Sequence, residues 1–124
     1  MMMREDDDAF CEVFGFTTEN KVLGEILVMR NVDIAISDMA EDIGISKPKA
    51  YEIMARFEKR GIVKKTRIIG KTQLYALNKE HPHSKILMRS FKDCLRMAVD
   101  GYVKKPVSNR VGSGKIGAVM AKSG

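Results

Sequence analysis

SDMAEDIGISKPKAYEIMARFEKRG, residues 37–61, decides the fold. Met39, Ala40 and Ile43 fall on one face of a short helix that Ser37 is expected to cap. Gly44 ends it, because a residue without Cβ enters the left-handed region at a helix C′ position without strain. Ile45 follows as a plug for the core, and Ser46 caps again. Pro48 stands near the start of the next helix, where its missing N–H costs little. Ala50, Met54 and Phe57 then recur at spacings of four and three and form one buried stripe, until Gly61 stops the helix. Two helices joined by Gly44-Ile45-Ser46 make a helix-turn-helix.

Outward from this unit the pattern continues on both sides. Thr17 or Thr18 caps a helix over Glu19–Arg30 with Val22, Leu23, Ile26 and Leu27 at helical spacing. Val32–Ile36 is short and β-branched, which predicts a small strand. Downstream, Ile62–Ile69 and Gln73–Leu77 read as two strands joined at Gly70-Lys71, a hairpin. Ser84 is expected to cap a last helix running to Val99, with Leu87, Met88, Phe91, Cys94, Leu95 and Ala98 on one broad face and Gly101 behind it. The order helix, strand, helix, helix, strand, strand, helix predicts a mainly α fold with a small β-hairpin, a winged helix-turn-helix domain over residues 14–103. Residues 1–13 read as a flexible acidic arm, and residues 104–124, rich in Gly, Ser and Lys, as a flexible basic tail.

Charge is divided unevenly. Residues 1–44 hold three basic side chains against eleven acids, a balance of −8, and residues 45–124 hold nineteen against five, +14. Such a lopsided field predicts a polyanionic partner for the second part. Apolar residues are 44% of the chain and aromatics 6%, with no Trp, so the core is expected to be aliphatic and rich in Met. No apolar run approaches the ~20 residues of a bilayer span, and the acidic opening MMMREDDD is unlike a secretory signal. These features predict a cytoplasmic, nucleoid-associated protein with no membrane partner. Cys11 and Cys94 form no CxxC pair and are expected to stay reduced, Cys94 as a core residue.

Ser46-x-Pro48-x-x-Tyr51, followed by Gly61-Ile62-Val63, resembles the recognition helix and first wing strand of MarR/ArsR-type regulators. Thr66-Arg67, Gly70, Leu74-Tyr75 and Leu77-Asn78 resemble the wing of archaeal members of that group. Phe14-Gly15 and His81-Pro82 stand where those proteins have comparable residues. The resemblance spans roughly residues 14–98 and implies sequence-specific binding of double-stranded DNA, usually as a homodimer, in transcriptional regulation. The Cys-x-Val-Cys motif of ArsR metal sensors is missing, so metal sensing is not implied.

Burying Ala50, Met54 and Phe57 turns the other edge of helix 46–60 outward. Ser46, Lys47, Lys49, Tyr51, Glu52 and Arg56 are therefore the expected major-groove and phosphate contacts, with Glu52 suited to accept from a cytosine amine. The wing, residues 62–77, supplies Lys64, Lys65, Arg67 and Lys71 for the backbone or minor groove, Arg67 and Lys71 foremost. Leu87, Met88, Phe91 and Leu95 form the expected dimer seam. The acidic residues Glu5-Asp6-Asp7-Asp8 suggest an arm that competes with DNA for the wing.

Other signals are weak. Gly112–Gly117 matches G-x-G-x-x-G, but only seven residues follow it, too few for the required helix and strand. His81 and His83 with either cysteine have poor spacing for a metal. No HExxH, nucleophile elbow or complete P-loop occurs, so neither enzyme activity nor a cofactor is expected, and no small-molecule effector is identifiable. Two alternatives use the same fold: a DNA-organising or segregation protein, and a winged-helix protein-interaction module within a larger complex.

Overall fold

The computed structural model describes residues 5–101, with side chains from Ala9 onward. At the centre of the expected helix-turn-helix, α3 (Ile36–Ile43) ends on Gly44 in the left-handed region at φ 76°, and α4 (Lys47–Lys59) begins behind Ser46, whose Oγ accepts from the Lys49 amide at 3.3 Å. Pro48 lies in the first turn of α4. The buried stripe of α4 is Ala50, Ile53, Met54 and Phe57, so Ile53 joins the three residues expected from spacing.

Ahead of this pair lie α1 (Glu5–Phe14), α2 (Thr18–Val28) and the two-residue strand β1 (Ile34–Ala35). Behind it come β2 (Val63–Ile69), β3 (Thr72–Leu77) and α5 (Pro82–Val99). The sheet is antiparallel in the order β1-β3-β2, with Ile34 opposite Tyr75 and Val63 opposite Leu77. The core gathers Val22, Ile26 and Leu27 of α2, Met39 of α3, the stripe of α4, Ile62 and Val63, and Phe91 of α5. This is a mainly α fold with a small antiparallel hairpin, the winged helix-turn-helix order expected from the sequence.

The first thirteen residues differ from expectation. Residues 5–14 are a helix, not a flexible arm, and Ala9, Phe10 and Cys11 are buried. The acidic residues at its start suit the positive end of a helix dipole, and the chain then turns its apolar side chains onto α2 and α5. Asn20 Nδ2 fastens the far end by donating to the carbonyls of Phe14 and Gly15 at 3.1 and 3.0 Å. With Phe10 in the core, the helix is docked on the domain and is not a free arm. The expected tail over 104–124 and its glycine motif lie outside the described residues.

Two helix starts also differ. Ser37 is inside α3; the residue before the helix is Ala35, without a side-chain cap, because β1 runs directly into a turn fixed by burial of Ile36. On α5 the cap is His81, whose Nδ1 accepts from the His83 amide at 3.1 Å. Ser84 is fully buried instead and donates its hydroxyl to the Ile62 carbonyl at 3.3 Å. Asn78 adds Nδ2 to the Gly61 carbonyl at 3.1 Å and its amide to that of Ile62 at 2.8 Å. The junction between α4 and the wing is thereby tied to the β3–α5 connection. Gly61 sits there at φ 84°, and a Cβ on it would stand 2.6 Å from His81 Cδ2, so only glycine fits.

Phe91 is 1% exposed and carries the Arg30 guanidinium 5.4 Å above its ring, so it belongs to the core and is withdrawn from the expected dimer seam. Leu87, Met88 and Leu95 are half-buried against that core. Cys11 and Cys94 are buried and not disulfide-bonded, and burial pushes the Cys94 thiol up, with the Asp93 charge adding to the shift.

If α1 is part of the core, Phe10→Ala lowers unfolding free energy by about 3–5 kcal/mol, read by urea denaturation. A residue in an unpacked arm would change it by less than about 0.5 kcal/mol.

Candidate nucleic-acid interface

The orientation of α4 is set by its buried stripe, and the opposite edge follows. Lys47, Lys49, Tyr51, Glu52 and Arg56 are all exposed along it, as the sequence predicts. Ser46 is exposed too, but its hydroxyl is engaged as the cap. The edge is cross-braced. Glu52 lies 3.7 Å from Lys49 and 3.0 Å from Arg56, and Arg56 also reaches Glu19 of α2 at 3.4 Å. Exposed pairs of this kind contribute little to stability, typically about 0–1 kcal/mol each. They do place the Glu52 carboxylate between two cations and direct Arg56 toward Glu19 of α2.

In the wing, Lys64 approaches Glu80 at 3.9 Å. Lys65 and Lys71 are exposed and, like Lys47, form no ion pair among the described residues. Arg67 is engaged: Nε and Nη2 donate to Asp33 at 3.0 and 3.4 Å. Asp33 precedes β1 and was not visible as a site residue, since 34 positions separate it from Arg67.

A β-bulge makes this contact possible. Lys65 pairs with Tyr75 while Ile68 pairs with Gln73, so Thr66 and Arg67 together face Leu74. In a regular strand consecutive side chains point to opposite faces. Here both converge on one carboxylate: Thr66 Oγ1 donates to the Asp33 oxygen that Arg67 Nε also reaches, at 2.9 Å. Gln73 Nε2 then donates to the Arg67 carbonyl at 3.1 Å and to that of Leu74 at 2.9 Å, occupying backbone groups that the irregular ladder releases. The Arg67 guanidinium and the Thr66 hydroxyl hold the Asp33 carboxyl below its ordinary value, and the Arg67 pKa is raised in return. A further link ties the β3–α5 connection to the segment before β1, Lys79 Nζ to Asn31 Oδ1 at 2.5 Å.

Among the described residues no group of three or more His, Cys, Asp or Glu is placed to hold a metal ion, and no helix is long and apolar enough to cross a membrane.

A carboxyl whose folded pKa is depressed stabilises the fold above its unfolded value, and that contribution disappears as pH falls through the folded value. Protection of the wing amides from hydrogen exchange is therefore expected to drop as pH is lowered below about 4, and Asp33→Asn should remove this acid step. An unchanged step in the variant would show that Asp33 does not hold the wing.

No family model matches the chain, and no curated protein matches it. Two solved structures do. One is the crystal structure of MepR, a transcription regulator of the Staphylococcus aureus multidrug efflux pump MepA: 15% identity, TM-score 0.55, covering 79% of this chain and 73% of that one. The other is a Phe-to-Leu mutant of S. aureus MepR bound to an oligodeoxyribonucleotide: 14% identity, TM-score 0.53, covering 84% of this chain and 75% of that one. At such identities the likeness concerns the fold. It supports the winged-helix part of the resemblance seen in the sequence and leaves its archaeal and ArsR-type parts as readings of the sequence; the chain has the winged helix-turn-helix fold of MepR.

Proposed function

We propose that the protein binds double-stranded DNA with sequence preference and regulates transcription by occupying promoter DNA. Helix 46–60 reads the major groove and wing 62–77 contacts the backbone or minor groove. The observation that carries this reading is the outward edge of α4, where Lys47, Lys49, Tyr51, Glu52 and Arg56 are all accessible while the opposite stripe is buried. A groove about 12 Å wide admits such a helix. The likeness to MepR, a transcription regulator with a mutant described bound to an oligodeoxyribonucleotide, supports it independently.

Within this reading the cations divide into two kinds. Lys47, Lys65 and Lys71 are unpaired among the described residues and suit phosphate contacts, the part of affinity that depends on salt. Lys49, Arg56, Lys64 and Arg67 share their charge with acids of the protein. Glu52, steadied by Lys49 and Arg56, is the candidate reader of a cytosine amine. A homodimer fits the apolar side chains left outward on α5, Ile86, Met97 and Val99, with Phe14 and Phe16 at the end of α1 and just after it. Leu87, Met88 and Leu95 would border that seam. A cytoplasmic, nucleoid-associated location follows from the same proposal.

Selection of bound duplexes from a random pool should return a two-fold related motif, bound by two chains. Lys47→Ala should then weaken binding to all sequences alike and reduce the slope of log K against log salt by about 0.9. A pool that returns no enriched motif contradicts sequence preference, and an unaltered slope removes Lys47 from the phosphate contacts.

A further inference from the structure

Beyond Arg67, which Asp33 anchors, the hairpin consists of Ile68, Ile69, the Gly70-Lys71 turn and the start of β3. Both isoleucines stand in solvent, Ile68 65% and Ile69 55% exposed. They pair with Gln73 and Thr72, in regular ladder once the bulge is passed, so their side chains leave opposite faces of the ribbon. Neither belongs to the core cluster or packs against it. A single exposed apolar residue is ordinary. Two adjacent ones, covering both faces of a projecting tip, make a wedge. Strand propensity alone does not require them, since Thr66 and Thr72 occupy nearby positions of the same hairpin with a β-branched hydroxyl residue.

The surroundings of this wedge specify its partner. Lys64, Lys65, Arg67 and Lys71 lie within eight residues of chain that contain no acid, so the tip is apolar at its point and cationic on its flanks. A purely apolar partner is disfavoured by that rim, and a polyanion with apolar walls is favoured. The minor groove of DNA has this character. It is about 6 Å wide, with deoxyribose along its walls and phosphates at its lips, and proteins that enter it commonly insert isoleucine or similar side chains at base steps.

We infer that the wing tip is an apolar wedge for the minor groove, with Ile68 and Ile69 against the sugar walls and base edges and Lys65 and Lys71 at the flanking phosphates. This rests on the DNA-binding reading above and adds the residues and groove through which the wing acts. The bulge and the Asp33 clamp are the device that holds the tip out, because they spend the side chains of Thr66 and Arg67 on the protein itself.

The test compares the full chain with Ile68→Ser/Ile69→Ser and with Ile68→Val/Ile69→Val on a duplex recovered from the random pool. Both variants should keep the melting temperature of the parent, since the altered side chains touch no core. The serine pair should lose affinity about tenfold, as expected when apolar contact is removed, with an unchanged salt slope, because no charge is altered. The valine pair should retain most of the affinity. Saturating the duplex with the minor-groove ligand netropsin should abolish the difference between parent and serine pair. Equal affinity of parent and serine pair, a changed slope, a difference that survives netropsin, or loss of self-association in the serine pair would each overturn the wedge while leaving DNA binding intact. Failure of the parent to bind any duplex would overturn the DNA-binding reading and the wedge with it.

Discussion

The rotation of α4 about its own axis governs everything the molecule can present to a partner. Ala50, Ile53, Met54 and Phe57 are buried along one stripe, and together they leave the helix one way to sit. Rolling it by a quarter turn would place Lys49 or Arg56 in an aliphatic core, where an unpaired charge costs several kcal/mol, and would expose Phe57 to water. The outward edge is therefore fixed by packing at its back, and contacts made by that edge need no further ordering. Gly44 and Ser46 set where the helix begins, and Gly61 sets where it ends and turns into the wing.

The wing is held by different physics. Its base is fastened by hydrogen bonds to the carbonyls of Gly61 and Ile62 from Asn78 and Ser84. Its middle is fastened by one carboxylate, Asp33, that collects two neighbouring side chains through a bulge. The acid-rich first part of the chain thus supplies counter-charges to the basic second part, Glu19 to Arg56 and Asp33 to Arg67. The charge asymmetry of the sequence is in part consumed internally. Along the outward edge of α4 and the wing, the cations that form no ion pair among the described residues are Lys47, Lys65 and Lys71, a smaller set than the cations these two elements carry.

Local signals in the sequence carried over well. The Ser46 cap, the Gly44 stop and the Gly70-Lys71 turn are written in adjacent residues, and so is the β-branched run Ile62–Ile69 of the hairpin. The missed features are those decided at a distance. The run Glu5-Asp6-Asp7-Asp8 reads as a solvated arm, yet Ala9, Phe10, Val13 and Phe14 that follow carry helical spacing, and an acidic first turn is compatible with a helix start. Only the docking of α1 on α2 and α5 decides between the two. Ser84 is a good cap by residue type, but Pro82 moves the helix start forward, His81 takes the capping position, and the hydroxyl is used across the core. Phe91 fits a seam by periodicity, and its burial under Arg30 is a matter of tertiary packing. The partnership of Asp33 with Arg67 depends on a one-residue bulge that no local pattern announces.

Nuclear magnetic resonance titration of the full chain with a duplex distinguishes a DNA-facing α4 edge from every other surface, because it reports on each position separately. If that edge and the wing grip the duplex, the largest shift changes fall at Lys47, Lys49, Tyr51, Glu52 and Arg56 of α4 and along residues 62–77, with the amides of Ala50, Ile53 and Phe57 responding less. Changes confined to α1 and α5, with the outward edge of α4 silent, would contradict it.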